Sequence, residues 1–356
     1  MKYKNIKLGE AAEITMGQSP KSTYYNKEGM GIPFIQGVST FGDNFPRIET
    51  YTTEYNKEAQ KGDLLFSVRA PVGKINVANQ TIAIGRGLAS LKVKKGYSKS
   101  YIYYLFKKIG NQLDSIGSGT VFSSINKKEL INLKIRVPEE LHDQCKIADR
   151  LRKIDEEIEI NNQINDNLLE LMDNLFYKFF PQINVGNDLI GSFIQNYDRF
   201  RKPLSKKQRS AISGKYRYIG AASVMDYINK YNFEGIYLLL GEDGTVVDNK
   251  GYPILQYVFG KFWPNNHTHV LKGKNISTEW LYLFFRQRKV LNIVTGAVQK
   301  KISQKNLNSL EFSQPNKEDY LKFNEIIQPL FRDIRIRIKE NKRLRQLKQE
   351  LLKQYF

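Results

Sequence analysis

"GTVFSSINKKELINLKIRVP", residues 119–138, has a counterpart at 296–315, "GAVQKKISQKNLNSLEFSQP". At a shift of 177 with no gap, Gly119 falls on Gly296, Val121 on Val298, Ile125 on Ile302 and Lys128 on Lys305. Leu130, Leu133 and Pro138 fall on Leu307, Leu310 and Pro315. Outward from this anchor the correspondence continues. "LLFSVRAPVG" (64–73) faces "LLLGEDGTVV" (238–247), "FIQGVS" (34–39) faces "YIGAAS" (218–223), and "YIYYLFK" (101–107) faces "WLYLFFR" (280–286). The shift drifts between 174 and 184, as small loop insertions require. A period of this length is too long for a solenoid and marks a duplicated domain.

Each copy leads into a helical stretch. Ile147, Leu151, Ile154, Ile158, Asn161, Asn165, Leu168, Met172, Leu175 and Phe179 alternate steps of four and three, a heptad seam. Ile327, Phe331, Ile334, Ile338, Asn341, Leu344, Leu347 and Leu351 nearly repeat it at a shift of 180. Pro181 closes the first helix. Pro329 lies early in the second, where a first-turn position or a kink tolerates it. The expected layout is a globular domain at 1–138, a helix at 139–182, a second globular domain at 183–315 and a second helix at 316–356. Short Tyr/Phe/Val/Ile runs cut by Gly and Asn suggest strands with a few helices in the globular parts.

Charge distinguishes the segments. The chain carries 56 Lys+Arg against 36 Asp+Glu, a formal net charge of +20. Residues 139–180 are net −6 (5 positive, 11 negative) and residues 317–356 net +5 (11 and 6). An acidic and a basic helix, each with an apolar seam, suit one another, antiparallel if a dyad relates the halves. Asn161 and Asn341 then fix register at some cost in stability. The globular parts are basic, +11 for 1–138 (21 and 10) and +10 for 181–316 (19 and 9), two grips on one polyanion. No apolar run approaches a membrane span, no signal peptide is visible, and a single cysteine, Cys145, excludes an intramolecular disulfide; a cytoplasmic protein is expected.

Catalytic motifs are scarce. No two of the 11 prolines are adjacent, so an Asn/Asp-Pro-Pro-aromatic methyltransferase loop is missing, as is a Walker sequence. "IAIGRGLAS" (82–90) matches a cofactor glycine fingerprint poorly, with Ser90 in the third glycine place. Asp63 and the Glu242–Asp243 pair read as turn chemistry. His267 and His269 share one strand face but lack a third ligand, so no metal is expected.

The polar clusters suit nucleic acid. Lys and Arg neutralise phosphates; Gln and Arg read base edges bidentately. "GQSPKSTYY" (17–25) offers Gln18, Ser19 and Lys21, and "RFRKPLSKKQRS" (199–210) offers Arg199, Arg201 and Lys202. Further groove-facing candidates in the first half are Gln36, Arg69, Lys74, Arg86, Thr120, Ser123 and Lys127. In the second half they are Arg217, Gln256, Lys261, His267, Gln299, Lys300 and Lys301. The plainer reading for any one of them is a solvated loop.

Two divergent globular copies, each followed by a heptad helix, resemble the specificity subunit of Type I restriction–modification systems. "GDLLFSVRAPVGKI" (62–75), the opening stretch, "KIADRLRKIDEEIEINNQIN" (146–165) and "GKFWPNNHTHVLKG" (260–273) carry the likeness. The resemblance implies an α+β fold: two homologous mixed α/β target-recognition domains in pseudo-two-fold arrangement, joined by two long helices forming an antiparallel coiled coil. It implies a non-catalytic subunit that reads a split, asymmetric site on double-stranded DNA. The helices would act as a ruler and as the platform for methyltransferase subunits, two being expected, and restriction subunits would join the full complex. S-adenosylmethionine, ATP and Mg²⁺ are expected on those partners and none on this chain. A helix from 140 to 180 spans roughly 60 Å at 1.5 Å per residue, on the order of 18 base pairs. The alternatives are the recognition subunit of a Type IIB-like system, a stand-alone nuclease, and a scaffold whose basic domains bind protein.

Overall fold

The computed structural model describes residues 1–113, 124–296 and 298–356. Two compact units form. Unit 1 comprises Met1–Glu159 and Asn341–Phe356; unit 2 comprises Ile160–Glu340. The first long helix runs Leu141–Phe179 and the second Lys317–Tyr355, so each unit takes a part of both.

In unit 1 a four-stranded antiparallel sheet has the order Ala12–Met16, Leu88–Val93, Leu64–Ser67, Ile75–Val77. The helix Lys99–Leu113 packs on it through Tyr101, Ile102, Leu105 and Phe106, all buried with Leu64, Phe66 and Leu91. A second sheet orders Tyr25–Asn26, Tyr51–Thr52, Ile32–Ile35, Ile82–Ile84 and Glu58–Ala59, over its own cluster of Ile35, Leu65, Ile82 and Ile84. In unit 2 a six-stranded sheet orders Ile194–Asn196, Thr268–Gly273, Phe233–Gly241, Leu255–Pro264, Ser213–Ile219 and Val224–Ile228. The helix Thr278–Arg286 covers it, burying Trp280, Leu281 and Phe284.

The repeated stretch builds the same local structure twice. Asn126 caps the helix Lys127–Asn132 by accepting from the Glu129 N–H, and Ser303 caps Gln304–Asn308 by accepting from the Asn306 N–H. A side-chain acceptor at that position satisfies a first-turn donor, which explains why the two residues differ yet act alike. Leu130 and Leu307 are both fully buried. Each copy then enters a short strand, Lys134–Pro138 paired with Tyr3–Lys7, and Glu311–Phe312 paired with Asp188–Leu189. Gly296 has φ +89°, and a Cβ there would lie 2.1 Å from the Gln299 carbonyl oxygen, so glycine is required. Gly119 and Val121 lie outside the described residues.

The long helices pair antiparallel within each unit. In unit 1 Asp155 meets Lys348 (2.5 Å) and Arg150 meets Tyr355 (2.6 Å), partner numbers rising as chain numbers fall. Ile147 and Leu151 share its core with Leu352, and Ile154 is buried beside them on the same face. In unit 2 Phe323 contacts the rings of Phe176, Phe179 and Phe180, and Ile327, Phe331 and Ile334 continue that core, with Leu168 packed against it. The seam asparagines are buried. Asn161 donates to Glu340 (3.0 Å) within unit 2, and Asn341 donates to the Ile158 carbonyl (3.4 Å) within unit 1.

Three details depart from the heptad reading. Ile338 is 42 % exposed and Leu347 44 %, while Leu352 is 3 % exposed. The seam passes from Asn341 through Lys348 to Leu352, leaving Leu344 and Leu351 only partly buried. The buried stem and paired ammonium of Lys348 explain this: a lysine can occupy a seam position when Asp155 takes its head group. Pro329 is not a first-turn residue, because the helix begins at Lys317 and continues through it with one backbone donor fewer.

Candidate nucleic-acid interface

The backbone hydrogen bonds of the two units provide a residue-by-residue correspondence. Gly85 N–H donates to Ile35 O (2.8 Å) as Asn265 N–H donates to Ile219 O (2.8 Å). Val68 N–H donates to Gly87 O (3.0 Å) as Glu242 N–H donates to His267 O (2.9 Å). Ile125 N–H donates to Val68 O as Ile302 N–H donates to Glu242 O, both at 2.9 Å. The Arg69 backbone pairs antiparallel with that of Ser124 as the Asp243 backbone does with that of Lys301. Thus Gln36 corresponds to Gly220, Arg69 to Asp243, Arg86 to Asn266 and Ser124 to Lys301. The scaffold is shared and the polar equipment is not.

In unit 1 a cleft of about 560 Å³ gathers Ser19, Gln36 and Arg86 with Tyr25, Phe34 and Glu49. Ser19 Oγ accepts from the Arg86 N–H (3.2 Å) and donates to Gln36 Oε1 (2.8 Å). The glycines of "IAIGRG" serve this approach: a Cβ on Gly85 would lie 2.4 Å from Gln36 Oε1, and one on Gly87 2.6 Å from the Gln36 carbonyl oxygen. The Tyr25 and Phe34 rings meet at a tilt of 31° with centroids 4.7 Å apart. Gln18 is exposed nearby in sequence, and Lys21 lines a neighbouring cleft with Tyr24 and Tyr55. Lys74 is elsewhere, in a cleft of about 320 Å³ with Phe41, Phe106 and Lys107. Burial pushes the Lys107 ammonium down, and the charge of Lys348 adds to that. Arg69 and Lys127 are exposed, while Thr120 and Ser123 lie outside the described residues.

In unit 2 several candidates are held inside the domain. Arg201, 13 % exposed, donates to Glu242 Oε2 (2.5 Å), Thr268 O (2.7 Å), Asn266 O (3.3 Å) and Asp198 O (3.1 Å). Arg217 donates to Phe259 O (2.8 Å), and burial lowers the pKa of its guanidinium. Gln256 donates to Gly220 O (2.8 Å) and Ala221 O (3.1 Å). These side chains tie strands and loops together, a long-range role that the sequence did not show. Arg199, Lys202, Gln299, Lys300 and Lys301 are exposed. Lys261 lies over the Tyr231 ring (4.5 Å), beside Tyr216 and Lys215, a basic aromatic surface of the kind bases and phosphates favour.

The two histidines part company. His267 is about half exposed and 3.4 Å from Asp243. His269 is fully buried, its Nδ1 2.6 Å from Asp198 and its Nε2 2.8 Å from Ile302 O. Asp198, Glu242 and His269 place ligand atoms within 4.8 Å of one another, a spacing a metal could use. Both ring nitrogens already face oxygens, however, and the Arg201 guanidinium occupies the cation's place beside Glu242. The cluster closes as an ion-pair network and not as a ligand set. Glu242 and Asp243 are therefore not turn residues as expected: they pair with Arg201, Lys301 (3.8 Å) and His267. Asp63 does serve a turn, accepting from the Gln60 N–H (3.0 Å). Burial raises the Asp198 carboxyl, but the His269 hydrogen bond and charge, the Val270 N–H and the Asn196 amide outweigh it, leaving the pKa below its ordinary value.

Comparison with known proteins agrees with this duplicated design. The Type I restriction modification DNA specificity domain matches residues 1–170 and again 192–349. The protein described as type I restriction enzyme MjaX specificity subunit of Methanocaldococcus jannaschii is 43 % identical over 152 residues, 42 % of this chain and 36 % of that protein. The chain thus spans about a third of that relative's length. The MjaIX specificity subunit of the same organism is 23 % identical over 374 residues, covering 92 % of this chain and 86 % of its own. The crystal structure of a Type I restriction–modification system S subunit from M. genitalium has the same fold, with TM-score 0.59, 17 % identity and coverage of 100 % and 96 %. With two matched domains built on one hydrogen-bonded scaffold, the chain belongs to the Type I restriction–modification DNA specificity family.

Proposed function

We propose that this chain is the sequence-specific DNA-recognition subunit of a Type I restriction–modification complex. In this reading unit 1 reads one half of a bipartite, asymmetric site and unit 2 the other. The observation that carries it is the substitution of polar groups at corresponding scaffold positions: Gln36 against Gly220, Arg69 against Asp243, Arg86 against Asn266. Two domains reading the same bases would keep those groups. The net charge of +20 supplies the sequence-independent attraction to phosphate.

The chain positions DNA and leaves the chemistry to others. Methyltransferase subunits dock on the paired helices and bring S-adenosylmethionine, and restriction subunits, which bring ATP and Mg²⁺, join the full complex in the cytoplasm. Among the described residues no helix is long and apolar enough to cross a membrane. The test is equilibrium binding of the purified chain to duplex DNA across a salt series. A steep negative slope of log K against log[salt], with cognate DNA outcompeting scrambled DNA at every salt, is expected. Salt-independent binding, or hydrolysis of DNA by the chain alone, would refute it.

A further inference from the structure

We infer that Gln36 and Arg86 form a fixed pair of hydrogen-bond donors that selects guanine in the half-site read by unit 1; this rests on the recognition reading above. The starting point is Ser19. Its oxygen already accepts the Arg86 backbone N–H, so its hydroxyl hydrogen points at Gln36 Oε1, 2.8 Å away. The Gln36 carbonyl oxygen is thereby engaged, and among the described residues no hydrogen bond holds its N–H₂. A free glutamine reads adenine by using both ends of its amide, as acceptor and donor. In Gln36 one lone pair of the carbonyl oxygen is already taken, which leaves the N–H₂ donors the less encumbered end.

Arg86 adds donors of the same sign. It is exposed, and among the described residues no hydrogen bond or ion pair holds its guanidinium. Donors from both side chains meet two acceptors only on guanine, which shows O6 and N7 in the major groove. Glu49 lines the same cleft and accepts, which suits the N4 amino group of the paired cytosine. Tyr25 and Phe34 line the same cleft and give it an apolar wall. In unit 2 the corresponding positions hold Gly220 and Asn266, so the selection belongs to one half-site.

The experiment is selection of bound duplexes from a randomised pool by the full chain, followed by sequencing, for the parent and for Arg86→Ala, Gln36→Ala and Gln36→Glu. Both side chains are replaced at exposed positions, and melting curves matching the parent establish that the fold is kept. Arg86→Ala and Gln36→Ala should each lower the preference for one guanine by roughly 5- to 100-fold and leave the other half-site as it was. Gln36→Glu keeps the Ser19 bond but turns the free end into an acceptor, so that position should move towards cytosine. A guanine that survives Arg86→Ala, or a uniform loss of affinity across all sequences, overturns the assignment alone. A parent chain that enriches no motif overturns the assignment and the recognition reading together.

Discussion

Replacing Arg201 by Ala separates a side chain that holds the domain together from one that reaches DNA. Its guanidinium makes hydrogen bonds to Glu242, Thr268, Asn266 and Asp198 at 13 % side-chain exposure, and Glu242 is 15 % exposed. Truncation leaves the Glu242 carboxylate without its main partner beside Asp198. Removing one member of such a pair costs about 3–5 kcal/mol. For a unit of roughly 180 residues, each kcal/mol lowers Tm by about 2–4 °C, so the expected fall is roughly 6–20 °C. The assay is thermal unfolding followed by tryptophan fluorescence. Trp263 and Trp280, the chain's 2 tryptophans, both lie in unit 2, so the signal reports that unit. Arg199→Ala, on the neighbouring exposed arginine, is the control and should stay within about 0.5 kcal/mol. The double variant Arg201→Ala/Glu242→Gln should lose less than the sum of the singles by roughly 0.5–3 kcal/mol, because the stranded charge is gone. An Arg201→Ala protein that melts with the parent but binds DNA poorly would refute the reasoning and make Arg201 a DNA contact.

The helix seam and the acid limb yield two further expectations. Leu151 is fully buried in unit 1, so Leu151→Ala should cost about 2–5 kcal/mol in urea unfolding; Leu151→Asp should cost more and abolish methyltransferase assembly. Unchanged assembly of the aspartate variant would count against the helical platform. Asp198 has a depressed pKa in the folded state. Its contribution to stability is present above its unfolded value near about 3.9 and is lost as pH falls through the folded value. Asp198→Asn should therefore flatten the decline of unit 2 stability below about pH 4, and a melting profile with the parent's acid slope would argue otherwise.

What the sequence made legible was periodic or repeated. Ile147, Leu151 and Ile154 show their face by spacing alone, and Leu130 and Leu307 show their equivalence by position. Those signals are local, so they survive without knowledge of the tertiary fold. Several of the misses involve partners far along the chain. Arg201 looks like a free cation in "RFRKPL" because Glu242 and Thr268 lie 41 and 67 residues away. Lys348 looks like a break in the seam until Asp155 is placed against it across 193 residues. The glycines of "IAIGRG" fit a cofactor loop poorly, and Gln36, far upstream, is what needs the space. Conversely the chemistry of Ser19, Gln36 and Arg86 marks each of them separately, and only the fold brings them into one cleft.

The most direct test is single-molecule sequencing of DNA methylated by this chain with its methyltransferase, for the parent and for a chimera carrying another family member's residues in place of 1–138. Two unlike half-sites separated by a fixed gap, with the chimera changing one of them, are predicted. A single symmetric motif, or a chimera that changes both halves, would contradict the two-reader account.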